Sequence, residues 1–146
     1  EVEAEFDSVL TVDGCKKATD FVNFCDAFSI PVLTLTNVTG FAATVESEKN
    51  MASAVAKLTY AFANATVPKV NVIVGKAFGS AYVSMNSKSI GADLVYAWPT
   101  AAVGMMPAEN AVKIIYNDEI DASDDAQGLI AEKAAAYAAL QTSPES

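Results

Sequence analysis

Residues 69–83 read KVNVIVGKAFGSAYV: a β-branched apolar run, broken by Gly75 and Gly79 and then followed by small, helix-compatible residues. Such a run, preceded by Pro68, predicts a buried strand handing over to a short helix. The same plan stands upstream, where VLTLTN (32–37), bounded by Pro31 and Gly40, reads as a strand. A helix follows it from about Glu46 to Ala65, with Met51, Val55, Leu58, Phe62 and Ala65 on one face. Downstream, DLVYAW (93–98) reads as a third strand and AAVGMM (101–106) as a fourth.

Upstream of these elements, an N-terminal helix opens at Asp13, whose carboxylate suits an N-cap, and carries a stripe of Ala18, Phe21, Val22, Cys25 and Phe28. Pro31 closes it. Pro107 sits at the start of another helix, whose apolar face is Ala111, Ile114 and Ile115. NDEIDASDDAQ (117–127) reads as an acidic loop, with Asp124 or Asp125 capping a last helix, LIAEKAAAYAAL, that ends near Thr142. Strand, helix, strand, helix, strand, helix, with no linker-like stretch, predicts one α/β domain with largely parallel strands.

The chain has 146 residues, close to the usual size of one domain, and 52% hydrophobic composition excludes disorder. Its 27 alanines predict helices packed closely against something. Cys15 and Cys25 lie about 280° apart around a helix, too far round for a bridge, which points to reduced thiols and a cytoplasmic protein. The opening EVEAEF lacks the basic, apolar layout of a signal peptide. The longest uncharged stretch, residues 27–45, is interrupted by Pro31, Asn37 and Gly40, so no membrane span is expected.

There is no histidine and no arginine, which removes Ser-His-Asp and Cys-His chemistry, imidazole zinc sites and bidentate guanidinium recognition within this chain. A net charge of −9 argues against nucleic acid. The charge is uneven: residues 49–107 hold five lysines against Asp93 alone, so an anionic ligand would be sought there. The remaining route to chemistry is the main chain. NVTGFAAT (37–44) and GKAFGSAYV (75–83) are glycine-bearing turns after strands, where unsatisfied N–H groups at helix starts can form an oxyanion hole. Ser80 beside Lys76 or Lys88 is the one nucleophile pairing that suggests itself, a Ser-Lys hydrolase, although Gly79-Ser80-Ala81 is not a G-x-S-x-G elbow. Trp98-Pro99 and Met105-Met106 read as core or interface, and Tyr60, Tyr82 and Tyr96 as tyrosines in apolar surroundings. A non-catalytic assembly or carrier-docking module, using the alanine-rich helices as contacts, is the third reading.

Taken in order, KATDFVNFCDAFSIPVLTLTNVTGF, AKLTYAFANATVPKVNVIVGKAFGSAYVSMNSK and GADLVYAWPTAAVGMM resemble the C-terminal half of biotin-dependent acyl-CoA carboxyltransferase subunits. The branch is that of propionyl-CoA carboxylase and of methylmalonyl-CoA or glutaconyl-CoA decarboxylase. The resemblance implies a crotonase-like (ClpP/crotonase) fold of repeated ββα units and carboxyl transfer between carboxybiotin and an acyl-CoA. It implies that Gly40, Phe41 and Ala42 form one oxyanion loop. The second loop is implied at Gly79, Ser80 and Ala81, where the biotin ureido carbonyl is held. Asn37-Val38-Thr39-Gly40-Phe41 stands where the family often has D-V-P-G-F, and Gly79-Ser80-Ala81-Tyr82 where it has G-G-A-Y. Val83 occupies an acyl-pocket position that is acidic in many propionyl-CoA-type members.

The resemblance further implies a biotin carrier protein as partner, the M-K-M biotinylation motif being absent from this sequence. It implies an N-terminal CoA-binding half of the same subunit, and a hexamer of dimer-built sites. Residues 1–146 are expected to be a truncated, biotin-side piece of such a subunit, ending at TSPES short of a terminal G-Y-V-D segment, and inactive by itself. No metal is expected.

Overall fold

A computed structural model describes residues 8–144. Its elements in chain order are β1 (Val9–Leu10), α1 (Val12–Ala27), β2 (Val32–Val38), β3 (Gly40–Phe41), α2 (Val45–Asn64), β4 (Lys69–Phe78), α3 (Gly79–Val83), β5 (Leu94–Ala97), β6 (Ala102–Gly104), α4 (Ala108–Ile115), α5 (Asn117–Asp121) and α6 (Ala126–Gln141). A 3-10 turn, Lys88–Ile90, leads into β5. Every strand pair is parallel, as the alternation of strands and helices requires.

β4 is the axis of the molecule. Its first half lies between β2 and β5, and its second half leaves both and pairs with β6. The change happens at an irregularity: Thr36 faces Ile73, yet Val38 faces Ala77, so β2 advances two residues while β4 advances four. Such a bulge bends a strand and raises its twist. Beside it, β1 and β3 form a separate two-stranded sheet in register Val9 to Gly40 and Leu10 to Phe41.

One sheet face is buried under helices. It presents Val32, Thr34, Thr36, Lys69, Asn71 and Ile73, and the core beneath it joins Cys15, Val22 and Cys25 of α1 to Leu58, Ala61 and Phe62 of α2. The other face carries Leu33, Leu35, Leu94 and Tyr96 outward, with Leu33 62% exposed. A smaller layer of α4, α5 and α6 packs around Val112 and Ala134.

Several sequence expectations need correction. Thr11, not Asp13, caps α1: its Oγ1 accepts the Gly14 N–H at 3.0 Å, while Asp13 lies in the first turn, 3.2 Å from Lys16 Nζ. Within the α1 stripe, Val22 and Cys25 face α2, but Phe21 and Phe28 do not. With Phe24 they form a second stripe on the exposed side, Phe28 being 66% exposed. In α4 the buried pair is Ala111 and Val112, and Ile114 and Ile115 point outward. The acidic stretch is not all loop, because Asp118 and Glu119 occupy the first turn of α5, where negative charge favours a helix start. Asp125 is the cap of α6, its Oδ1 accepting the Gly128 N–H at 2.9 Å. Tyr60, Tyr96, Trp98 and Met105 lie on surfaces that no described element covers, which removes the core alternative for Trp98 and Met105 and leaves the interface one. Both cysteines are buried and free, and the burial of Cys15 pushes its thiol pKa up.

Candidate functional site

The candidate residues occupy two neighbouring turns. Gly40 and Phe41 are β3, and Gly79, Ser80, Ala81 and Val83 lie in α3, which packs directly on β3. Phe41 and Ala42 pack against the core, Ala81 is buried, and Ser80 and Val83 are exposed.

Gly79 has φ +61, and a Cβ there would stand 3.0 Å from the Met105 carbonyl oxygen. Glycine is therefore favoured twice, by the left-handed backbone and by the close pass of the chain just after β6. Phe78 precedes α3 without any side-chain cap, so no capping side chain takes up the amides of the first turn. Gly40 differs. A Cβ on it would meet nothing within 4 Å, and its φ is ordinary, so neither strain nor a neighbour explains the absence of a side chain.

Among the candidate donors, Ala42 is already bonded. Its N–H donates to the Leu10 carbonyl at 2.8 Å, so this amide is consumed by the β1–β3 pair and cannot serve a ligand.

Two further pairs of residues, which the sequence did not mark as part of the site, tie the segment just after α3 to β2 and β4. Asn71 Oδ1 accepts from Thr36 Oγ1 at 2.7 Å and its Nδ2 donates to the Met85 carbonyl at 3.2 Å. Asn86, at φ 54, donates through Nδ2 to Thr34 Oγ1 at 3.1 Å and to the Val70 carbonyl at 3.3 Å, while its buried Oδ1 has no partner among the described residues. Both asparagines are fully buried. The signal was present in KVNVIVG, where an asparagine interrupts the apolar face of a strand and so needs a polar partner inside.

The lysines do not gather at these turns. Lys69 is buried, its Nζ donating to the Phe62 and Ala65 carbonyls at the end of α2 at 2.9 and 2.6 Å. Lys88 Nζ donates to the Asp93 carbonyl at 2.8 Å, which disfavours it as a base for Ser80. The expected anionic-ligand region thus loses two of its five cations to structural duty. Burial raises the Tyr82 hydroxyl pKa. A cleft of about 520 Å³ lined by Ile73, Tyr96, Val103 and Pro144 and another of about 480 Å³ lined by Phe21, Leu33, Leu35 and Val74 are both formed without any of the seven candidates. No cluster of metal-ligating side chains occurs among the described residues, and no helix there is long and apolar enough to cross a membrane.

Residues 4–145 match the family described as the carboxyl transferase domain. The chain is 43% identical over 129 residues to the methylmalonyl-CoA carboxyltransferase 12S subunit of Propionibacterium freudenreichii subsp. shermanii, covering 88% of this chain and 25% of that protein. It is 48% identical over 119 residues to methylmalonyl-CoA decarboxylase subunit alpha of Propionigenium modestum, covering 80% and 23%. Among solved structures, the transcarboxylase 12S hexamer with methylmalonyl-coenzyme A and methylmalonic acid bound superposes with TM-score 0.87 at 41% identity, over 94% of this chain and 26% of that one. The beta subunit of P. aeruginosa geranyl-CoA carboxylase gives TM-score 0.80 at 27% identity, covering 94% and 27%. The chain thus spans about a quarter of the length of the curated relatives it matches.

Proposed function

Because this chain belongs to the carboxyl transferase domain family and has its crotonase-like α/β fold, we propose that it is the biotin-side part of a longer acyl-CoA carboxyltransferase or decarboxylase subunit. The observation that carries this reading is the packing of α3 on β3, which brings together the two glycine-bearing turns, one with open space at Gly40 and the other with no side-chain cap at its helix start.

In this reading the main-chain N–H groups of Gly40 and Phe41 on one side, and of Ser80 and Ala81 on the other, hold carbonyl oxygens and stabilise negative charge that develops on them. One such donor is worth about 2.7–4 kcal/mol in known enzymes. Neither an imidazole nor a guanidinium is required, which agrees with their absence. Biotin supplies the ureido ring that carries the carboxyl group, and its ureido oxygen is the acceptor these donors fit. Gly79 holds the α3 amides at their angle, Ala42 shapes the turn without donating, and Val83 borders the acyl group. The substrate is an acyl-CoA of the propionyl or methylmalonyl type. The partners are a biotin carrier protein, the CoA-binding remainder of the subunit and further copies in a hexamer, and the free, buried thiols suit the cytoplasm.

The test is titration of the chain with biotin methyl ester, followed by backbone amide resonances. Shifts are expected at Gly40, Phe41, Ser80 and Ala81, with Ala42 moving least because its N–H is already bonded. Shifts confined to other regions would overturn the placement of the site.

A further inference from the structure

We propose that Asn37 is a positioning residue that sets the spacing between the two amide turns. The proposal rests on the reading above, that those turns form the donor site.

Asn37 lies at the bulge where β4 changes partners. Its Oδ1 accepts the Lys76 N–H at 2.9 Å, and its Nδ2 donates to Ser8 Oγ at 3.1 Å. A main-chain N–H can only donate, which fixes the orientation of the amide. Each of its two bonds leads to one turn. Ser8 starts the β1 side: its carbonyl accepts the Thr39 N–H at 2.8 Å, and the next residues, Val9 and Leu10, pair with Gly40 and Phe41. Lys76 starts the other side: it pairs with Ala102, the strand runs on through Phe78 opposite Gly104, and Gly79 opens α3. Asn37 therefore stands three residues before Gly40 and bonds the residue three before Gly79. Across the bulge, where the regular ladder is interrupted, this side chain supplies the missing tie between the strands.

Gly75 gives a second, independent sign. A Cβ there would lie 2.6 Å from Asn37 Oδ1 and 2.9 Å from its Cγ. The glycine makes room for this one side chain, so the two positions act as a pair.

The experiment uses the full-length subunit with its biotin carrier, comparing Asn37→Ala, Asn37→Asp, Gly75→Ala and Asn37→Ala/Gly75→Ala by kcat, KM for acyl-CoA and urea midpoint. A misplacement near 1 Å lowers rate by on the order of 10²-fold, so Asn37→Ala and Gly75→Ala are each expected to lose kcat on that scale while KM for acyl-CoA holds. Asn37→Asp keeps an acceptor for Lys76 and can accept from the Ser8 hydroxyl, so it retains most of kcat. The double variant should be no worse than Asn37→Ala, since the added Cβ then meets the Cβ of residue 37 at an ordinary contact distance of 3.5 Å and loses the two close contacts. Should Asn37→Ala fail to fold, Asn37→Gln, the same amide on a longer arm, is expected to fold and still lose kcat. Unchanged kcat in folded Asn37→Ala or Asn37→Gln, or additive losses in the double variant, would overturn the positioning role. Gly79→Ala separates this from the underlying reading. If it abolishes transfer while Asn37 variants do not, the donor site stands without Asn37; if it leaves transfer intact as well, the donor site itself is misplaced.

Discussion

Replacing Gly40 with alanine separates a glycine required for folding from one required for a ligand. The added Cβ meets no heavy atom within 4 Å, and the backbone there is outside the left-handed region. The folded state therefore gains no strain, while the unfolded chain loses freedom, which stabilises a protein by about 0.4–1 kcal/mol. For a domain of this size that raises Tm by about 1–4 °C. In the proposed site, the same open space is where a carbonyl oxygen would be held by the β3 amides, and the methyl group would take its place. Loss of one such donor interaction lowers kcat by about 10²–10³-fold. The assay is steady-state carboxyl transfer by the full-length subunit carrying Gly40→Ala, with calorimetry on residues 1–146 carrying the same substitution. Stability at or above wild type together with that loss of kcat is the expected result. Transfer within about threefold of wild type would refute close approach at Gly40, and a lowered Tm would refute the open geometry from which the argument starts.

Three other outcomes follow from the fold. Lys69→Met leaves the Phe62 and Ala65 carbonyls at the end of α2 without their donor, and a loss of about 2–3 kcal/mol in urea unfolding is expected. The Asp26 carboxyl sits below the usual carboxylate range, chiefly because it accepts the Thr66 N–H, with the Thr66 hydroxyl and the Val67 N–H adding to this against a desolvation cost. A depressed folded pKa gives stability that is full above the unfolded value, about 3.9, and is lost as pH falls through the folded one. The stability gap between wild type and Asp26→Asn should thus be constant from neutral pH down to about 5 and close on further acidification, as read from urea midpoints against pH. Cys15 and Cys25 are both buried, so a thiol reagent should label them only on unfolding; rapid labelling of native protein would contradict the α1–α2 packing.

The parallel α/β order was legible because β2, β4 and β5 each end within two residues of a proline or glycine and the long helices α1 and α2 carry buried stripes. Met51, Leu58 and Phe62 of α2 are buried as their spacing predicts. Helix period alone misjudged α1, where two apolar stripes compete: Cys15, Val22 and Cys25 meet α2, while Phe21, Phe24 and Phe28 look outward. Which stripe is buried depends on where the neighbouring helix lies, and that is tertiary information. The glycine turns were visible as turns, but nothing in the letters placed β3 against α3 or showed that Ala42 spends its N–H on Leu10. Asn37 was visible only as a departure from a family motif, because its partners Ser8 and Lys76 are 29 and 39 positions away.

The outward sheet face governs how this chain behaves as a colloid. Leu33, Leu35, Leu94 and Tyr96 offer one apolar plane to solvent, and a net charge of −9 opposes the approach of two such planes. That repulsion reaches about 10 Å in 0.1 M salt and about 3 Å in 1 M. Solubility should consequently drop as ionic strength rises, and drop again as pH approaches the isoelectric point near 4.3. Dilute, slightly alkaline, low-salt buffer is the condition in which separate molecules persist.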